Sequence, residues 1–381
     1  MSIRESKTLD YRFKILYAVG MILVLCDHTQ GGGISIINDW FPYAGLHLSL
    51  FAFASGYFYK DTSEKNIKKY IGKKIRTLIL PLYIYTVIYG LIVQILKLGG
   101  FEIGGNITLY NVFIAPITNG HQFIYNMGGW FIAPLFMVEV FNCIQRKILK
   151  SIHPNIPEIT FFSISLLLGV TGNYFACTGH VNGWWLVWVR MFYFVPFYGL
   201  GIFYKSTWEK YDRKIPCIWY FTAIFTVKLF IAYTYGRMPS YTPAWCHNFT
   251  EGPVMPIIVG YLGIAFWMRI ATILEPVIGR SKWINLIANN TYSIMMNQFL
   301  GFMIVKTFYA ILSKLNPGFS DFDWVSYKTN IWWYYKPRNL EYTLILYVAA
   351  GIIFPIMFQA ICTRIYDRLK YKFAISSKLR K

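Results

Sequence analysis

Apolar runs of about twenty residues alternate along this chain with short polar clusters. A helix rising 1.5 Å per residue needs roughly that length to cross a bilayer. The runs and their breaks predict about ten helices, over 14–31, 44–59, 77–97, 128–145, 159–177, 186–204, 216–235, 253–270, 284–305 and 341–363. The second is short. No internal repeat or low-complexity linker divides the pattern, so the expected fold is an all-α, polytopic transmembrane bundle in one domain, 1–381. Its core covers roughly 9–365, and a basic tail follows at 366–381.

Charge orients the bundle. With the N-terminus inside, the cytoplasmic pieces 1–14, 60–76, 145–158, 205–214, 269–283 and 364–381 hold 28 of the 37 Lys and Arg residues. The opposite loops 29–45 and 98–127 hold none, and 236–251 holds Arg237 alone. The last outer loop, 306–340, holds five, but it is long and orients less strongly. Both termini are therefore expected in the cytoplasm. Composition agrees: 56% of the residues are hydrophobic and only 14% charged, against about a quarter in soluble domains. The net charge of +20 suits anionic lipid rather than nucleic acid, because it lies in clusters between spans. Six scattered cysteines show no metal-ligand spacing, so no metal is expected. The first run ends Cys26-Asp27-His28 rather than at a small-residue cleavage site, and reads as a retained span.

Ionisable groups inside spans are costly, which makes each a candidate. Glu139, Arg190 and Lys228 lie within apolar runs and can pair to lower the cost; which pairs with which is not written in the sequence. Lys73 and Arg76 are three apart on one helix face, with Lys74 beside them and Pro81 loosening the backbone ahead. They read either as headgroup anchors or as an anion site for a phosphorylated cytosolic donor. His28 can exchange a proton near neutrality. Its neighbour Asp27 points about 100° away around a helix, so an Asp–His dyad needs a break, which Gly31–Gly33 would permit. The stretch WVSYKTNIWWYYKPRN in the last outer loop fits an interfacial aromatic belt, or a lip that stacks on sugar rings.

Several segments in order resemble the integral-membrane acyltransferase 3 family: VLCDH closing the first helix, HLSLFAFASGYFYK, KKIRTLILPLYIY, GGWFIAPLFMVEVF, FVPFYGLGIFYKS and IANNTYSIMMNQFLGFMI. The resemblance covers nearly the whole chain. Two positions depart from it. Tyr17 stands where the family often has an arginine eleven residues before the histidine, and Asn297 and Gln298 stand where a late histidine is often found.

The resemblance implies O-acylation of a cell-surface or capsular polysaccharide, or of its lipid-linked precursor, in a bacterial cytoplasmic membrane. It implies acetyl-CoA as donor substrate, with no permanently bound cofactor. Membrane lipids and polysaccharide-assembly proteins are the further partners implied. His28 would be the base, directly or through an acyl-enzyme relay, with Asp27 orienting it or binding sugar. Arg76, Lys73 and Lys74 would hold the donor phosphates, and Glu139, Arg190, Asn297 and Gln298 would line the substrates or their path. A lipid-linked-sugar flippase, or a lapsed acyltransferase relative, is the alternative reading.

Overall fold

The computed structural model describes residues 9–31, 33 and 47–379. Among these residues, ten long or span-like helices make up the bundle. They are α1 (Tyr11–His28), α2 (His47–Tyr57), α3 (Ile67–Leu98), α4 (Met127–Ile152), α5 (Glu158–Cys177), α6 (Trp184–Asp212), α7 (Cys217–Tyr235), α8 (Met255–Ile278), α9 (Thr291–Leu315) and α10 (Leu344–Leu379). No β-strand occurs among the described residues; a single isolated bridge joins Thr242 and His247.

Eight of these helices, α3 to α10, are long and apolar enough to cross a membrane. The two predicted spans outside that group are distinguished by their chemistry and length. Helix α1 carries Arg12, Lys14 and Asp27 within eighteen residues, and the described part of α2 is eleven residues, or about 16 Å. The ninth predicted span was set too early: α9 ends at Leu315, which takes Lys306 out of the outer loop and into a buried helix.

Helix α1 is buried on most of its circumference, as a helix that is apolar all round must be. Asp10 caps it by accepting from the Arg12 backbone N–H at 3.1 Å. Its neighbours include α2, α8, α9 and the short helix Lys282–Asn289. Helix α2 lies directly against α6. A Cβ on Gly56 would meet the Tyr198 carbonyl oxygen at 2.0 Å, and one on Gly201 would meet that of Phe53 at 2.0 Å. Small residues let the two backbones touch, the usual basis of helix association in lipid.

The predicted loops sort into two ends. At one, Arg12 donates to Tyr57 (3.3 Å) and Glu209 (2.7 Å), and Lys150 pairs with Glu64 at 2.9 Å. These contacts tie together pieces of 1–14, 60–76, 145–158 and 205–214, the basic group. At the other, the Glu102 N–H donates to the Lys328 carbonyl at 3.0 Å, and Arg190 joins Asn119 to Ala244. That is the grouping an alternating bundle requires.

Candidate active site

His28 is the last residue of α1, and the helix runs unbroken to it. The turn that follows leaves helical geometry at once: Gln30 and Gly31 both have positive φ, 54° and 97°. The Gly31 N–H then reaches back to the Cys26 carbonyl at 2.8 Å and closes the helix end. The α-carbon direction therefore separates the two neighbours. Asp27 is exposed, while His28 turns inward.

Inward, His28 meets α9. Its Nδ1 lies 3.1 Å from Oε1 of Gln298. The Gln298 amide nitrogen donates to the Met295 carbonyl at 3.2 Å, which fixes the amide with its oxygen toward the imidazole. An oxygen there accepts, so in the neutral imidazole the tautomer this contact favours has the proton on Nδ1 and the lone pair on Nε2. Rings of Phe299 and Trp332 flank the imidazole at 5.2 and 5.7 Å. The Tyr334 hydroxyl donates to the His28 carbonyl at 2.7 Å. Lys306, buried in α9, holds this aromatic segment from behind, with Nζ donating to the Ile331 carbonyl at 2.7 Å and lying 4.6 Å from the Tyr334 ring. His47, at the start of the described part of α2, is buried.

Asn297 is separate from this contact. It accepts from the Tyr89 hydroxyl at 2.8 Å and donates to Ser293, holding α3 to α9. Arg190 is fully buried, at 0% exposure. It donates through Nε to the Ala244 carbonyl at 2.9 Å, through Nη2 to Ala244 and Asn119, and lies over the Trp130 ring at 4.9 Å. His121, in the loop before α4, stacks on Trp245 at 4.2 Å. Burial, then the Arg190 charge, pushes its pKa down to about 3, which keeps it neutral.

The buried acid pairs with none of the cations that lie deep in the spans. Glu139 binds Lys74 at 2.6 Å and leaves its second oxygen without a protein partner. Both line a cavity of about 640 Å³ whose wall also includes Lys60, Lys69, Lys73 and Tyr70. Arg76 is exposed and is not among the described residues lining it. Pro81 has no N–H and its ring crowds the carbonyl a turn back, and residues Ile75–Ile79 form a π-turn, closed by the Leu80 N–H on the Ile75 carbonyl. Arg76 lies at the start of this turn, whereas Lys73 and Lys74 close the regular helix before it.

A second cavity of about 210 Å³ adjoins the first, and Tyr17 and Ser55 line both. Apart from Thr291 and Tyr292 the rest of its wall is apolar, including Met21, Leu48, Phe131 and Leu135, and it reaches Val24 and Met295. Val24 is one turn before His28, and Met295 one turn before Gln298. A lysine-lined cavity and an apolar chamber thus meet at Tyr17 and Ser55, and the chamber reaches the turns of α1 and α9 that precede His28 and Gln298, which do not themselves line it.

A family model described as an acyltransferase domain, that of acyltransferase 3, matches residues 10–364. The chain belongs to the acyltransferase 3 family. With eight apolar helices of spanning length, it is a multi-pass membrane member of that family. No match was found among curated proteins or solved structures.

Sequence reasoning singled out His28 and Gln298 but did not join them. It missed Lys306 and Tyr334 as supports of His28, and Ser55 as part of the join. Tyr17 stood out only as a departure from the family pattern. The apolar stretch that continues past the predicted span end at 305, Phe308 to Leu312, was the available signal for Lys306.

Proposed function

We propose that this protein transfers a short acyl group, acetyl in the simplest case, from cytosolic acyl-CoA to a hydroxyl of a cell-surface polysaccharide or its lipid-linked precursor. The observation that carries the reading is the His28–Gln298 contact, which in the neutral imidazole leaves Nε2 free to accept a proton one turn beyond Val24 and Met295 in the chamber wall. Lys69, Lys73 and Lys74 suit the phosphates of the donor by charge-assisted hydrogen bonds. The arm of the donor then passes Tyr17 and Ser55 into the apolar chamber.

His28 Nε2 takes the proton of the acceptor hydroxyl as its oxygen attacks the thioester carbonyl. The tetrahedral intermediate collapses by breaking the carbon–sulfur bond, and the departing thiolate takes the proton back from His28. Asp27, exposed beside the base, suits a sugar hydroxyl rather than the imidazole. A bacterial cytoplasmic membrane fits the arrangement, with its basic face turned to the cytosol where acyl-CoA is made.

The test is transfer of labelled acetyl from acetyl-CoA to cell-envelope glycan by the purified protein. Loss of transfer in His28→Ala, with donor binding retained, is expected. Undiminished turnover in that variant would remove His28 as the base. Donor binding without turnover in the wild type would favour a lapsed relative, and no donor binding would favour a transporter.

A further inference from the structure

The apolar chamber is larger than an acetyl group requires. A cavity of about 150 Å³ lined by aliphatic and aromatic side chains holds benzene, which has six carbons. The chamber here has about 210 Å³, room on the order of eight carbon-sized groups on that scale. An acetyl thioester brings two carbons and a sulfur.

What the chamber can hold follows from its wall. No charged side chain lines it, and its hydroxyls are Tyr17 and Ser55 at the join and Thr291 and Tyr292. The Tyr292 hydroxyl already donates to the Leu78 carbonyl at 3.3 Å. The two amides of a pantetheine arm cannot be left unpaired deep in such a space, because burying an amide without a hydrogen-bond partner is strongly unfavourable. They fit at the join, beside Tyr17 and Ser55. The part of the donor beyond them is the thioester and its chain.

The walls that set the length of this space are backed by fixed backbone. A Cβ on Gly128 would meet the Met295 carbonyl oxygen at 2.4 Å, so α4 and α9 are already in contact where Met295 closes one side. Val24 lies on buried α1. Met21 and Met295 themselves are unbranched and adapt to chains of different shape.

We infer that this chamber is an acyl-chain pocket, and that the protein accepts donors with chains longer than acetyl, up to about four to six carbons, with Leu135, Val24 and Met295 setting the limit. The inference rests on the donor reading proposed above. Each methylene that enters apolar surroundings adds roughly a threefold to fourfold gain in affinity, from about 0.8 kcal/mol per group.

The full-length protein in detergent is titrated with coenzyme A, acetyl-, propionyl-, butyryl-, hexanoyl- and decanoyl-CoA, with thermal protection as the readout. Affinity rising severalfold from acetyl to butyryl or hexanoyl, then flat or falling at decanoyl, is the expected result. Equal affinity for coenzyme A and all esters, or best binding by acetyl, would overturn the pocket while leaving the donor reading intact. No protection by any of them would take down both. Leu135→Phe narrows the chamber and should move the break one or two carbons shorter, and Val24→Leu, a milder change, should move it in the same direction. A break that stays in place in either folded variant also counts against the pocket; the wild-type series decides the matter if neither folds.

Discussion

The imidazole Nδ1 of His28 on α1 and the amide oxygen of Gln298 on α9 lie 3.1 Å apart, 270 residues apart in sequence. Because Met295 holds the other end of the amide, Gln298 fixes both the orientation and the tautomer of the imidazole. Gln298→Ala should lower kcat by about 10- to 100-fold, the usual cost of removing an orienting partner, with little change in donor KM. Steady-state kinetics in donor concentration read both. A change confined to KM would mean that Gln298 binds donor instead of orienting the base.

Tyr334→Phe removes the hydrogen bond to the His28 carbonyl and keeps the ring. One net hydrogen bond is worth about 1 kcal/mol. A small drop in melting temperature and a several-fold drop in kcat are expected. Wild-type kcat in a correctly folded variant would show that the helix end holds its shape without this contact.

The lysines of the mouth should not contribute equally. Lys73 lines the larger cavity and Arg76 does not, so Lys73→Ala should raise donor KM more than Arg76→Ala. The difference should shrink as salt is raised, since exposed charges are screened over about 10 Å at 0.1 M. An equal or larger effect of Arg76→Ala would place the phosphates on the outer face of α3.

Lys74→Ala strands Glu139 in a buried position and should destabilise the protein by about 3–5 kcal/mol. Adding Glu139→Gln to it should recover a substantial part of that loss. Thermal unfolding of the two single variants and the double variant forms the cycle that measures this. Additive losses would show that the pair does not act as a unit.

The loop clasp around Arg190 should weaken in acid. His121 binds a proton near pH 6.5 when unfolded and near 3 when folded, so between those values the unfolded chain takes up more protons. Its contribution to stability is complete above about pH 6.5 and is lost as pH falls toward 3. The melting temperature should fall over that window, and His121→Asn should flatten part of the fall. An unchanged slope would assign the acid sensitivity to other groups.

The bundle was legible because spanning helices need long apolar runs, and eight of those runs are present as such. Helix ends were less so: Lys306 reads as a loop cation until its aliphatic stem and its carbonyl partner are seen to keep it inside α9. His28 was visible as a proton carrier at the end of an apolar run. Its partner was not, because hydrogen bonding between α1 and α9 depends on packing that one sequence does not display. The same holds for Glu139, which found Lys74 rather than Arg190. Arg76 does not join Lys73 at the cavity, and the π-turn that begins beside it left Pro81 as its trace in the sequence.

The join at Tyr17 and Ser55 bears on how the cell keeps its ion gradients. Beyond it the chamber is lined without charge, and a hydrated ion entering there would shed its water with only a few hydroxyls to replace it. An acyl chain meets no such barrier. The wall of the chamber therefore admits apolar groups while opposing the entry of ions into the bundle at this level.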